Sequence, residues 1–406
     1  MSPDLVFQLR GTCNNYDWGK KGSQSLAAHL CSKTSGDDFV IENDKPYSEM
    51  WFGDYPNFPA RIAETGELLG DRIYNRSSML GEGGIKKFGE HLPFLPKILS
   101  IGNPLPLQIH PNKELAAKLH QEDPDQFTDP NHKPEIAVAL TEFKAFAGWR
   151  TLEVIAEVFN IAALNTFVPE NVSSWSDETL RAVIRNILHA EDSTVRQALE
   201  VLERTPRNEL GKSGYVLDLR PVLKEQFGSH DPAVLVAPLC MNFLVLQPGQ
   251  ALFIPADGIH AYVSGDILEC MARSDNMLDT GFCGPRVDKS TIDTFSDSMT
   301  FKDCSRKNVE LPRNKAHQGS NGKTSVYSPP IEEFDILVTE LENAEKEVIV
   351  GAAGPSVAIA TKGSGILEPN GKRLDIEEGY IYYIGPGVDA TWESGKEGLQ
   401  VFTAVA

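Results

Sequence analysis

The 406-residue chain is short of positive charge: 38 Lys and Arg stand against 57 Asp and Glu, a formal net charge of -19 at pH 7. So acidic a surface repels nucleic acid and anionic headgroups, which argues against either as the main partner. Long apolar runs are missing too. No stretch reaches the ~18 apolar residues of a membrane span. The opening MSPDLVFQLRGTCNNYDWGKK also lacks the basic segment and apolar core of a secretory signal. The six cysteines, Cys13, Cys31, Cys240, Cys270, Cys283 and Cys304, form no C-x-x-C pair and read as reduced thiols. The glycine-rich GEGGIKKFG at 81–89 fits neither nucleotide-loop fingerprint. These absences leave a cytoplasmic enzyme or small-molecule binding protein as the expectation, with a monomer as the simplest state.

What is present is a large apolar reserve. At 41% hydrophobic residues the chain can bury a sizeable core, and its length exceeds one ordinary domain. Short apolar runs such as PFLPKILSI and EIAVALTEFKAFAGW alternate with Gly and Pro turns up to about residue 150 and read as strands. From 151 to 231 the period changes. Leu180, Val183, Ile184, Ile187 and Leu188 repeat at helical spacing behind Ser176, a candidate N-cap, with Asp177 and Glu178 in the first turn. Strands return in NFLVLQPGQALFIPADGIHAYVSGDILECMA and again after about 314. The segments QPGQALFIPADG and PNGKRLDIEEGYIYYIGPG share a turn–strand–turn rhythm, which suggests two related β units. The expected fold is mainly β with an α insertion. It comprises a cupin-like jelly-roll barrel from 1–150 with 232–310, a helical domain at 151–231 and a second cupin-like barrel at 311–406.

One apolar run, PLPLQIHP at 104–111, carries two polar side chains at a spacing that puts both on one strand face. Gln108 and His110 are joined by Glu135 in HKPEIAVAL and His260 in PADGIHAYVSG as polar residues in apolar β contexts. A Gln, two His and a carboxylate form a nitrogen and oxygen donor set that suits zinc or a similar divalent ion, with a position left open. Taken singly, each has a plainer reading: a hydrogen-bonded cleft histidine, or a solvated charge at a strand entry.

The segments NNYDWGKKGSQSLA, YSEMWFGDYPNFPA, LPFLPKILSI, LQIHPNKELAAKLH, HKPEIAVAL and GIHAYVSGDILECMARSDN together resemble type I phosphomannose isomerases, zinc-dependent enzymes of cupin barrels and a helical domain. The resemblance implies one zinc per chain held by Gln108, His110, Glu135 and His260. It implies interconversion of mannose 6-phosphate and fructose 6-phosphate through a cis-enediol, feeding GDP-mannose supply. It makes Glu269 the acid/base candidate, places Tyr262 near the metal, and puts Lys97 and Lys133 along the sugar-phosphate site. For these lysines the plainer reading is an exposed, solvated charge.

Three positions depart from the family pattern. Asp279 stands where the family has an arginine implicated in catalysis. Pro106 stands where it has a phosphate-site serine, and proline offers neither hydroxyl nor N–H. The family's Thr-Pro-Lys becomes Gly-Pro-Arg with one extra residue, leaving Arg286 as the candidate phosphate cation. Arg273, on the same strand face as Glu269 and Met271, is a candidate replacement for the missing arginine; an exposed loop arginine is the alternative. The retained ligands and Glu269 favour an isomerase. The departures favour a divergent metal-binding paralogue with lost or altered activity, or an isomerase of another sugar.

Overall fold

The structure, a computed structural model, describes residues 5–35, 39–228, 230–283, 287–301 and 309–406. The architecture is the mainly β one, with helices inserted, that the alternating patterns suggest. Two large antiparallel sheets, of eleven and ten strands, account for nearly all the described strands. No described helix is long and apolar enough to cross a membrane.

The eleven-stranded sheet is organised around one long strand, His260–Ala272. Its first residues pair with Phe143–Trp149 and, at His260, with Gln108. Its later residues pair on one side with Phe94–Ile101 and on the other with Glu135–Ala139. Between the two halves sits Gly265, at φ +125°, where the register against Phe143–Trp149 shifts just beside it. A Cβ here would lie 2.6 Å from the Glu142 carbonyl oxygen and 2.9 Å from the Phe143 Cα. Glycine is the residue that lets one strand serve two sets of neighbours.

The ten-stranded sheet draws on both ends of the chain. Val6–Arg10 pairs with Ile381–Ile384, and Arg61–Ile62 extends the edge beyond it. Leu9 and Ile62 accordingly pack in one core with Ile381 and Phe402. The expected stretch 311–406 therefore does not build its sheet alone. The repeated rhythm is real in backbone terms. Ala251–Ile254 and Ile381–Ile384 each follow a left-handed glycine, Gly249 and Gly379, and each precede a turn into a long strand.

The helical segment behaves as its period dictates. In Asp177–His189 the Ser176 hydroxyl caps the Thr179 N–H, and Leu180, Val183, Ile184, Ile187 and Leu188 are all buried. The helical layer runs past the expected boundary at 231. Ala233–Cys240 is a further, wholly buried helix. Lys289–Ser298 is docked on Asp177–His189 by Arg181, whose guanidinium donates to the main-chain carbonyls of Ser296, Asp297 and Met299. Apolar periodicity cannot place such a boundary, because Ala233–Cys240 is apolar on every side.

Gly265→Ala should destabilise the protein by more than about 2 kcal/mol, from left-handed backbone strain plus two sub-van-der-Waals contacts. Chemical denaturation measures it, and a loss below about 0.5 kcal/mol would mean that the strand bends without needing glycine.

Candidate metal centre and cavity

The register of His260–Ala272 gathers side chains from five segments. His260 faces Gln108, Glu269 faces Lys97 on one side and Ala137 on the other, and Met271 faces Glu135. Trp51 in turn faces Lys97 from the next strand, Glu49–Trp51. Of these, Gln108, Glu135, Glu269, Lys97 and Trp51 meet at a cavity of about 720 Å³. Its lining includes Gln108, Glu135, Glu269, Lys97 and Lys133 together with Trp51, and Pro106 stands at the same wall.

Beneath the cavity, His110, Glu135 and His260 bring donor atoms within 4.8 Å of one another, all three side chains buried. The Glu135 carboxylate lies 3.2 Å from the Nε2 of His110 and 3.3 Å from that of His260. Each imidazole's other nitrogen is committed: His110 Nδ1 lies 2.9 Å from the Asn276 carbonyl, and His260 Nδ1 lies 3.0 Å from the Gly258 carbonyl. A carbonyl can only accept, so both Nδ1 atoms carry the proton and both Nε2 atoms present lone pairs. Those two Nε2 atoms are buried and have no hydrogen-bond partner. Burial, reinforced by the nearby Lys133 charge, pushes His110 down to about 4 and keeps it a neutral donor at neutral pH. Two orphaned imidazole nitrogens converging on a buried carboxylate fit a divalent cation, as the donor types do. Tyr262 donates its hydroxyl to Glu135 at 2.5 Å; burial and the Glu135 charge hold the phenol well above its usual range, so it stays a donor.

Glu269 is 4% exposed and belongs to a row of buried charges. The Lys97 ammonium sits 3.7 Å from Glu49 and 3.8 Å from Glu269, over the face of Trp51 at 3.8 Å. Burial alone would lower Lys97, but the carboxylates of Glu49 and Glu269 outweigh it and raise it, so it stays charged. Glu269 moves the other way, up to about 8, because burial and then the Glu135 charge outweigh the attraction of Lys97 and Lys133. Lys97 and Lys133, at 3% and 5% exposure, are not the solvated surface charges of the plainer reading.

Arg273 is a correction. Alternation does place it on the face of Glu269 and Met271, but the strand ends at Ala272 and the guanidinium is taken by other partners. Its Nε donates to Asp54 at 3.1 Å and the group lies over Tyr55, outside the lining of the cavity. Arg286 lies outside the described residues. Asp279 lines the cavity and is pushed up to about 6 by burial, against the pull of Lys133 and His260.

Sequence reasoning missed Glu49, which accepts from Trp51 Nε1 and, at 3.1 Å, from Asn14 while facing Lys97. The signal existed: a carboxylate inside the otherwise apolar YSEMWFG. Asn276 was missed as well. Its carbonyl orients His110, and its amide is tied to the main chain at Asp129 and Asn131.

Comparison with known proteins follows the same lines. Residues 6–152 match the family described as phosphomannose isomerase type I, catalytic domain, and 325–368 match the type I C-terminal one. The chain is 36% identical to the mannose-6-phosphate isomerase of Schizosaccharomyces pombe, covering 98% of this chain and 99% of that one. The chain belongs to the type I phosphomannose isomerase family. The Saccharomyces cerevisiae mannose-6-phosphate isomerase is 35% identical, with 98% of each chain covered. Among solved structures, the Salmonella typhimurium mannose 6-phosphate isomerase bound to substrate (f6p) and zinc superposes with a TM-score of 0.82 at 25% identity, covering 99% of both chains. Within this family fold, the sheet register brings together Gln108, His110, Glu135, His260, Glu269, Lys97, Lys133 and Tyr262 and leaves Arg273 aside.

Two outcomes follow from the electrostatics. The raised pKa of Glu269 means that its contribution to stability is fully present below the ordinary carboxylate value and is lost as pH rises through about 8. In metal-free protein, Glu269→Gln should therefore gain stability relative to wild type between pH 5 and 8; a thermal-unfolding gap that stays constant over that range would contradict the shift. Tyr262→Phe removes a donor from Glu135 and should weaken divalent-metal affinity roughly tenfold in a competitive chelator titration.

Proposed function

We propose that the chain is a zinc-dependent aldose–ketose isomerase that interconverts mannose 6-phosphate and fructose 6-phosphate, acting in the cytoplasm and supplying GDP-mannose synthesis. The observation that carries this reading is the pair of unpartnered Nε2 atoms of His110 and His260 converging on buried Glu135, in the wall of a cavity that also presents Glu269. The naming of the curated relatives and the zinc and fructose 6-phosphate in the Salmonella enzyme supply the metal and the substrate.

In this reading Gln108, His110, Glu135 and His260 hold the ion. A divalent ion bound there supplies Lewis-acid polarisation and orientation of the sugar's oxygens. Glu269 acts as the acid/base: its carboxylate takes the C2 proton of the open-chain aldose, leaving a cis-enediolate, and returns the proton to C1, while a second proton moves from O2 to O1. A carboxyl buried enough to titrate near the working pH suits a proton that must be both taken and given back. Lys97, held between Glu49 and Glu269, keeps Glu269 oriented, and Lys133, a second buried cation in the lining, takes the sugar phosphate. Tyr262 holds Glu135 in place.

A coupled assay tests the reading: zinc-loaded protein receives mannose 6-phosphate and fructose 6-phosphate is followed. Activity should vanish on chelation and return with zinc. Glu269→Gln should lower kcat by roughly a hundred- to ten-thousand-fold while zinc content is retained. No turnover by wild type at high enzyme concentration would overturn the isomerase and leave the divergent metal-binding paralogue, the reading that Asp279 in the cavity wall favours.

A further inference from the structure

Asp279 lines the cavity, and the isomerase reading gives it no work. It ends the two-residue strand Leu278–Asp279, directly opposite Gln108, so its position is set by a hydrogen-bonded ladder and not by a free loop. Among the described residues, its buried Oδ1 has no hydrogen-bond partner. Buried carboxylate oxygens are rarely left unmet, because stripping water from a charged acceptor is costly unless a donor replaces it. The residue as a whole is only partly buried and forms part of the cavity lining.

The charges around that space point the same way. Among the described lining residues, six carboxylates (Asp17, Glu49, Glu135, Glu269, Asp275 and Asp279) face two ammonium groups, Lys97 and Lys133. Lys97 is already shared between Glu49 and Glu269. No arginine lines the cavity among these residues, and Pro106 supplies neither hydroxyl nor N–H. A lining in which carboxylates outnumber cations suits a ligand rich in O–H donors. It opposes one that brings a dianion to the same spot.

We propose that Asp279 is a specificity-determining residue that accepts a hydrogen bond from a sugar hydroxyl and disfavours a phosphate oxygen beside it, so that the cavity narrows the advantage of a hexose phosphate over the free hexose. The inference rests on the site being a sugar site, as proposed above.

Two variants separate acceptor from charge. Asp279→Asn keeps an acceptor oxygen and removes the charge; Asp279→Ala removes both. Binding of fructose 6-phosphate and of fructose to zinc-loaded protein is measured by calorimetry, and kcat/KM for mannose 6-phosphate and mannose beside it. Asp279→Asn should tighten fructose 6-phosphate roughly tenfold and leave fructose within about twofold, whereas Asp279→Ala should weaken fructose roughly tenfold. Unchanged fructose 6-phosphate affinity in Asp279→Asn, with the variant folded, overturns the proposal. So does unchanged fructose affinity in Asp279→Ala. If wild type shows the binding pattern but turns over neither sugar, the isomerase reading falls and the role of Asp279 stands.

Discussion

Burying Glu135 is the constraint around which the rest of the site is arranged. A carboxylate at 1% exposure is far too costly to leave alone. Two imidazole Nε2 atoms and one phenol hydroxyl converge on it, and each of these groups needs its own support. His110 is held by the Asn276 carbonyl and His260 by that of Gly258. Asn276 in turn is held by main-chain carbonyls at Asp129 and Asn131. The polar network is thus several shells deep, and it ends in two lone pairs that no described residue satisfies by a hydrogen bond.

The backbone solution to this constraint is one strand with two sets of neighbours. His260–Ala272 carries His260 and Tyr262 before the Gly265 kink and Glu269 after it. The first part meets Gln108, and the second meets the strands of Lys97 and Glu135. A one-residue slip would turn every one of these side chains to the other face, so the apolar register of the sheet also sets the chemistry. The second sheet contributes at a distance. Glu333, just before its strand Asp335–Leu341, pairs with His132 at 2.7 Å and ties the segment before Lys133 and Glu135 to the C-terminal part of the chain.

Among its described lining residues the cavity holds six carboxylates and two lysines. Lys97 lies between Glu49 and Glu269 and over Trp51, which makes it a structural cation. Asp279 adds one of those carboxylates to the lining.

Much of this was legible in the sequence. The 3.6-residue period of Leu180 to Leu188 and the Ser176 cap are local properties, and local physics decides them. Polar residues in apolar β runs marked Gln108, His110, Glu135 and His260, because the cost of burying them makes an unexplained one conspicuous. What the sequence could not carry is partnership. Strand alternation put Arg273 on the face of Glu269 correctly, yet only the fold shows that Asp54 and Tyr55 capture it. Glu49 was just another carboxylate until strand pairing set it against Lys97. The N-terminal strand Val6–Arg10 looked like part of the first β unit until it paired with Ile381–Ile384. A period reports which face a side chain takes, whereas the neighbour across that face comes from chain segments hundreds of residues away, and only the folded register brings them together.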